Sequence, residues 1–161
     1  MAALILPHVI ISLIAMAAGF IVMGGMLSSH RLPTKTAVFL VTTILTSVSG
    51  FVLPAPHFLP SHAVGILSLI LLAVAVYAFY SKKLAGPWRW IYVVTALAAQ
   101  FFNCFVGVVQ AFKHLPFLHE YATGDNPPPI APLLLLVIFV VFGILALRKF
   151  RPAAVVTSSS L

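Results

Sequence analysis

The stretch that decides the fold is WIYVVTALAAQFFNCFVGVVQAF, residues Trp90–Phe112. It holds no charged side chain, and it exceeds the ~20 residues that an α-helix needs to cross the hydrocarbon core of a bilayer. Within lipid the backbone has to satisfy its own hydrogen bonds, and a single segment does so as a helix. The stretch therefore predicts a transmembrane helix.

Four more stretches have the same length and character, and prolines mark the connections between them. The five predicted spans are Val9–Leu27, Thr36–Leu53, Ala63–Ser81, Trp90–Phe112 and Ile130–Leu147. The sequence thus predicts an all-α fold, a polytopic membrane helical bundle with five transmembrane helices. We expect residues 1–151 to form one domain and residues 152–161 to form a flexible cytoplasmic tail.

The composition excludes several classes of protein. Hydrophobic residues make up 62% of the 161 residues and charged residues 7%, whereas a soluble domain carries about 25% charged residues. The low share of charged residues excludes a soluble enzyme. A nucleic-acid-binding protein is excluded because the net charge of +7 sits in short connections between apolar runs. The sequence also lacks nucleotide-binding, hydrolase and metalloprotease motifs, which favours a binding protein over an enzyme.

The positive charges predict the orientation of the bundle. All lysines and arginines except Lys113 follow the first, third or fifth span: Arg31, Lys35, Lys82, Lys83, Arg89, Arg148, Lys149 and Arg151. Because basic connections stay in the cytoplasm, the N-terminus is predicted to lie outside and the C-terminus inside.

With this orientation, five of the six histidines lie at the outer face. They are His8, His57, His62, His114 and His119, and only His30 lies inside. Neutral imidazole is a common ligand of zinc, copper and haem iron, so one hypothesis is a metal or haem site. The other is that the histidines occupy the headgroup zone separately, because no two of them share a tight spacing on one helix.

The fourth span carries a polar seam that ends at this histidine-rich face. Its members fall within an arc of ~80° on a helix, and they are Gln100, Asn103, Gly107, Gln110 and His114. Amide side chains are costly in lipid, so the seam is predicted to face protein or water. The second span, rich in Ser and Thr, could pair with it. The seam then has one of three roles: it holds the helices together by hydrogen bonds, it lines a pocket for a small molecule such as a quinone, or it docks another subunit.

Several segments resemble a group of small multi-pass bacterial inner-membrane proteins. They are Thr42-Thr43, Thr46-Ser47, Gly50-Phe51, Leu59-Pro60-Ser61-His62, Gly65-Ile66, Trp88–Tyr92, Asn103 and Val109–Phe112. The resemblance implies a helical bundle in the bacterial inner membrane and implies no activity. At Cys104 that group carries an aliphatic residue, so the resemblance gives no support to cysteine chemistry.

These observations lead to one main functional hypothesis and two alternatives. The main one is a membrane protein that binds a small hydrophobic ligand, a quinone, haem or a metal in a polar pocket open to the outer face. Its predicted ligand-binding residues are His8, His62, Asn103, Gln110 and His114. The alternatives are an accessory subunit of a larger membrane complex and an oligomeric transporter or channel component. The sequence identifies no metal and no cofactor.

Overall fold

The structure is a computed structural model that describes residues 2–53, 60–124 and 126–152. Five long helices account for most of it, and each is long and apolar enough to cross a membrane. They are α1 (Ala2–Leu27), α2 (Pro33–Val52), α3 (Pro60–Val76, continued without a break by the π-helical segment Tyr77–Ser81), α4 (Trp88–His114) and α6 (Ile130–Lys149), while α5 (Pro116–His119) is a single turn. The all-α bundle that the sequence predicts is confirmed.

The helices enclose the predicted spans, apart from Leu53, which is the extended residue that ends α2. The largest difference is at α1, which begins at Ala2 instead of Val9. Pro7 is tolerated inside this helix because the bond it removes would have reached only the carbonyl of Ala3, near the free start. His8 therefore lies in the second turn of α1 and does not cap its end.

Helix α4 is at the centre of the bundle. It packs against α1, α3 and α6, while α2 packs against α1 and α3. The buried face of α4 is rich in small side chains, such as Thr95, Ala96, Ala99 and Cys104. Small residues let neighbouring helices approach closely, which is the main source of packing energy where no water is displaced.

The three basic connections meet at one end of the bundle, which we call the basic end. The Arg151 backbone N–H donates to Ser29 Oγ at 2.8 Å. The Arg31 guanidinium donates to the Phe79 carbonyl at 2.8 Å, and Arg89 donates to the Leu147 carbonyl at 3.2 Å. The grouping of positive charge therefore follows the sequence prediction. Which side of the membrane this end faces stays a prediction.

The last turns of α3 widen into a π-helical segment, Tyr77–Ser81. Here the Lys82 backbone N–H bonds the Tyr77 carbonyl at 3.0 Å and the Leu84 N–H bonds that of Ala78 at 3.0 Å. The next carbonyl along the chain, that of Phe79, accepts a hydrogen bond from the Arg31 guanidinium, whose carbon also lies 4.7 Å from the Phe79 ring centroid. The arginine thus satisfies a carbonyl that the wider turn leaves available.

The buried core reaches only part of the way along the bundle. On each long helix the buried residues stop well before the end of the bundle that lies opposite the basic end. Among the residues that the structure describes, the last buried ones in that direction are Ala15 on α1, Thr43 on α2, Ser68 on α3, Cys104 on α4 and Phe139 on α6. Beyond them the described residues of the long helices are half-buried or exposed. We call this open part the histidine end, because His8, His62 and His114 lie there.

Candidate functional site

A row of hydroxyls on α2 forms one wall of the histidine end. Thr43, Thr46 and Ser49 follow one another at intervals of three residues, so that successive members point about 60° apart around the helix axis. Thr43 contacts α4 through Asn103, and Ser49 contacts α1 through His8. Thr46 lies between them in both depth and direction, so it faces the space where α1, α2 and α4 meet.

His8 connects α1 to α2 through Ser49. Its Nδ1 lies 2.7 Å from Ser49 Oγ. The Ser49 hydroxyl also lies 3.1 Å from the Thr46 carbonyl, so its single hydrogen has two acceptors within reach. In the tautomer whose Nδ1 donates to Ser49, Nε2 carries a lone pair that can accept a hydrogen bond or bind a metal.

Asn103 joins the same site from α4. Its Nδ2 donates to Thr43 Oγ1 at 3.3 Å, and the Thr43 hydroxyl in turn donates to the Phe39 carbonyl at 2.7 Å. Asn103 is half-buried. An amide has two N–H donors and a carbonyl oxygen, so after this one bond it can still both donate and accept.

Thr46 is the member of the row whose hydroxyl is unsatisfied. Its Oγ1 is buried and has no hydrogen-bond partner within the described part of the chain. By contrast, Thr42 and Thr43 each donate to the carbonyl four residues earlier, at 2.6 and 2.7 Å. A buried hydroxyl without a partner costs about 1–3 kcal/mol, which a ligand oxygen would offset. We call His8, Thr43, Thr46, Ser49 and Asn103 the polar cluster.

Gln100 lies deeper on α4, next to the closed core. Its Nε2 donates to the Met16 carbonyl at 2.9 Å, and its Oε1 is buried with no partner among the described residues. The amide occupies the place that a side chain at position 19 would fill, so this packing requires Gly19. Gln100 therefore joins α1 to α4 below the polar cluster.

The structure brings together only part of the predicted site. His8 and Asn103 both belong to the polar cluster. His62 lies on α3 beside it, with its ring stacked on Phe51 at a centroid distance of 5.4 Å. Gln110 and His114 are exposed on the last turns of α4. The predicted seam thus faces protein at Gln100 and Asn103 and reaches the surface at Gln110, because the packed part of the bundle has already ended there.

The described residues do not form a ready metal centre. Within them, no three side chains of His, Cys, Asp or Glu are close enough to hold one ion. His119 Nδ1 lies 3.2 Å from the Phe112 carbonyl. His57 and Asp125 lie outside the described residues.

Three members of the cluster, Thr43, Thr46 and Ser49, were not among the predicted site residues. The signal for them was the row of hydroxyls on the second span, since a spacing of three keeps side chains on neighbouring faces of a helix. What the sequence does not reveal is that the His8 ring reaches Ser49 from α1.

Comparison of the chain with protein-family models, with curated proteins and with solved structures finds no match. The polar cluster therefore has to be interpreted from its own chemistry.

Proposed function

We propose that the chain is a multi-pass protein of a bacterial inner membrane that binds a quinone-type ligand at the polar cluster. The location rests on the five apolar helices and on the resemblance described above. The ligand class rests on the cluster: a small head with hydroxyl or carbonyl oxygens, carried on an apolar tail. The observation that carries the proposal is the buried Thr46 hydroxyl without a partner, at the open end of the bundle.

The donors and acceptors of the cluster match such a head group. The Thr46 hydroxyl and the remaining N–H of Asn103 donate to a carbonyl, while His8 Nε2 accepts from a hydroxyl. No charged side chain belongs to the cluster, which favours a neutral ligand over an ion. The apolar side chains exposed at this end, such as Leu13 and Val48, suit an apolar tail.

The test is binding of decylubiquinone to the purified full chain in mixed lipid–detergent micelles. Thr46→Val removes the unsatisfied hydroxyl at nearly constant volume and should raise Kd about 5- to 30-fold, the effect of one lost hydrogen bond. Asn103→Leu should raise Kd by a similar factor. Thr42→Val is the matched control, because the Thr42 hydroxyl already bonds the Val38 carbonyl.

Thermal melting separates a binding role from a structural one. Thr46→Val should leave the melting temperature unchanged or raise it, because the variant removes a buried group that has no partner. Equal Kd values for Thr46→Val and Thr42→Val would overturn the proposal, and so would a wild-type chain that does not bind.

The remaining predicted site residues are tested in the same assay. His62→Ala reports on the α3 wall of the open end, and Gln110→Ala reports on its exposed rim. If both variants bind decylubiquinone as the wild type does, the site is confined to the polar cluster. If Gln110→Ala alone weakens binding, the ligand sits at the rim and the proposed position is wrong.

A further inference from the structure

A groove runs between α4 and α6 in the other half of the bundle. It has a volume of about 360 Å³ and is lined by apolar side chains from Val93 to Phe101 and from Leu136 to Leu147. Gly143 lines it, and a Cβ there would lie 3.7 Å from Leu97 Cδ1, so a larger side chain at this position would enter the groove. The groove shares no residue with the polar cluster.

The dimensions of the groove match one leaflet of a bilayer. From Leu136 to Leu147 the helix rises about 16 Å, and half of the hydrocarbon core is about 15 Å thick. Phe101 lies near the middle of α4, and Leu147 lies in the last turn of α6, which ends at Lys149. The groove therefore spans the leaflet at the basic end and ends near the midplane.

A cationic side chain lies at the mouth of the groove, the end nearest Leu147. Arg148, which is exposed, lies one helical turn beyond the groove-lining residue Ile144. On α4, the exposed Trp90 lies one turn before Val94, at a depth where tryptophan contacts lipid headgroups.

Two features keep the mouth positive and in place. The Arg89 guanidinium donates to the Leu147 carbonyl at 3.2 Å and also to that of Phe150, which fixes the end of α6 beside the start of α4. Glu120 belongs to the connection between α5 and α6 at the opposite end. Among the residues that the structure describes, no acidic side chain therefore offsets the positive charge at the mouth.

From these observations we infer that the groove binds an anionic phospholipid of the leaflet at the basic end. One acyl chain lies between α4 and α6, and the phosphate is bound by Arg148. Basic pockets between transmembrane helices select anionic headgroups in this way. This inference goes beyond the proposed function and does not depend on it.

The experiment uses the full chain in nanodiscs that contain equal amounts of phosphatidylglycerol and phosphatidylcholine. Native mass spectrometry after release into a mild detergent counts the lipids that stay bound. We expect one retained phosphatidylglycerol per chain. Arg148→Ala should lower its retention about fivefold, and Gly143→Leu, which fills the groove, should abolish it.

Matched variants on the same helix serve as controls. Lys149→Ala removes a charge next to Arg148 but lies one turn beyond Leu145, which does not line the groove. Val141→Phe adds bulk to α6 away from the groove. Both should retain phosphatidylglycerol as the wild type does.

Three outcomes would overturn the inference. Equal retention of phosphatidylcholine would mean that the groove holds acyl chains without selecting a headgroup. A dimer peak that Gly143→Leu abolishes would mean that a second copy of the chain occupies the groove. If Lys149→Ala loses as much phosphatidylglycerol as Arg148→Ala does, the lipid is attracted by the overall charge of the basic end and not by the mouth of the groove.

Discussion

At the scale of single residues, the contact of Gly19 with Gln100 is the most sensitive point of the bundle. The Gln100 amide fills the space that any side chain at position 19 would need, and it bonds the Met16 carbonyl at 2.9 Å. Its Oε1 is buried next to Gly19 and has no hydrogen-bond partner among the described residues. The glycine thus makes room for a buried amide.

Gly19→Ala should lower the free energy of unfolding by about 1–3 kcal/mol, because the added methyl group forces the amide away from Met16. The measurement is unfolding in mixed micelles with increasing SDS. Gly24→Ala is the control: nothing lies within 4 Å of a Cβ there, and the change should stabilise the helix by up to about 1 kcal/mol.

A double variant tests whether the contact itself is responsible. In the Gln100→Ala background, where the amide is gone, Gly19→Ala should cost far less than it does alone. Additive effects of the two changes would show that Gly19 matters for another reason.

At the scale of one element, the C-terminal end of α6 depends on a side chain from α4. Helix α6 has few buried residues, Phe139 and Ala146, and its last carbonyls lack partners within the helix. The Arg89 guanidinium bonds one of these carbonyls, that of Leu147, and also the carbonyl of Phe150, the residue that follows α6. This bond, together with the packing of Phe150 near Tyr92 at 6.1 Å between ring centroids, holds the end of α6 to α4.

Arg89→Gln should destabilise the protein by about 1–3 kcal/mol. It should also speed amide hydrogen exchange in the last turns of α6 while α1 and α2 keep their protection. Lys83→Gln removes the same charge from an exposed position and should change neither measurement. Equal exchange in the two variants would mean that Arg89 contributes charge alone.

The long helices could be predicted from the sequence because uninterrupted apolar runs have no other stable form in lipid. Their contacts could not be predicted in the same way. Lipid tails are as apolar as leucine, so hydropathy does not mark which face of α6 meets protein and which meets lipid. The π-helical segment Tyr77–Ser81 was also missed, because its available carbonyl is satisfied by Arg31 from a distant connection.

The sequence predicted only part of the candidate site, because it does not show where the helices pack against each other. Asn103 was identified because an amide in a span needs a polar partner, and Thr43 provides one. Gln110 has the same chemistry but lies beyond the packed region, where no such constraint acts. Composition alone does not indicate where along a helix the packing ends.

At the scale of the whole molecule, the orientation of the bundle is the property still to be measured. The grouping of eight basic residues at one end predicts that the N-terminus lies outside and the C-terminus in the cytoplasm. A green fluorescent protein fused to the C-terminus should therefore fluoresce in cells, and an N-terminal cysteine tag should react with an impermeant maleimide added outside. Placement of both termini in one compartment would contradict the prediction.

The uneven distribution of the core affects how the protein should be handled. At the histidine end the apolar side chains are covered by the surrounding acyl chains instead of by each other, so the bilayer there acts as a structural component. A short-chain detergent micelle replaces that component, and the helix tips are expected to change their spacing while the basic end keeps its arrangement. A sample that melts normally after such a purification can thus have lost the geometry of the polar cluster, and ligand binding is best measured with native lipids retained.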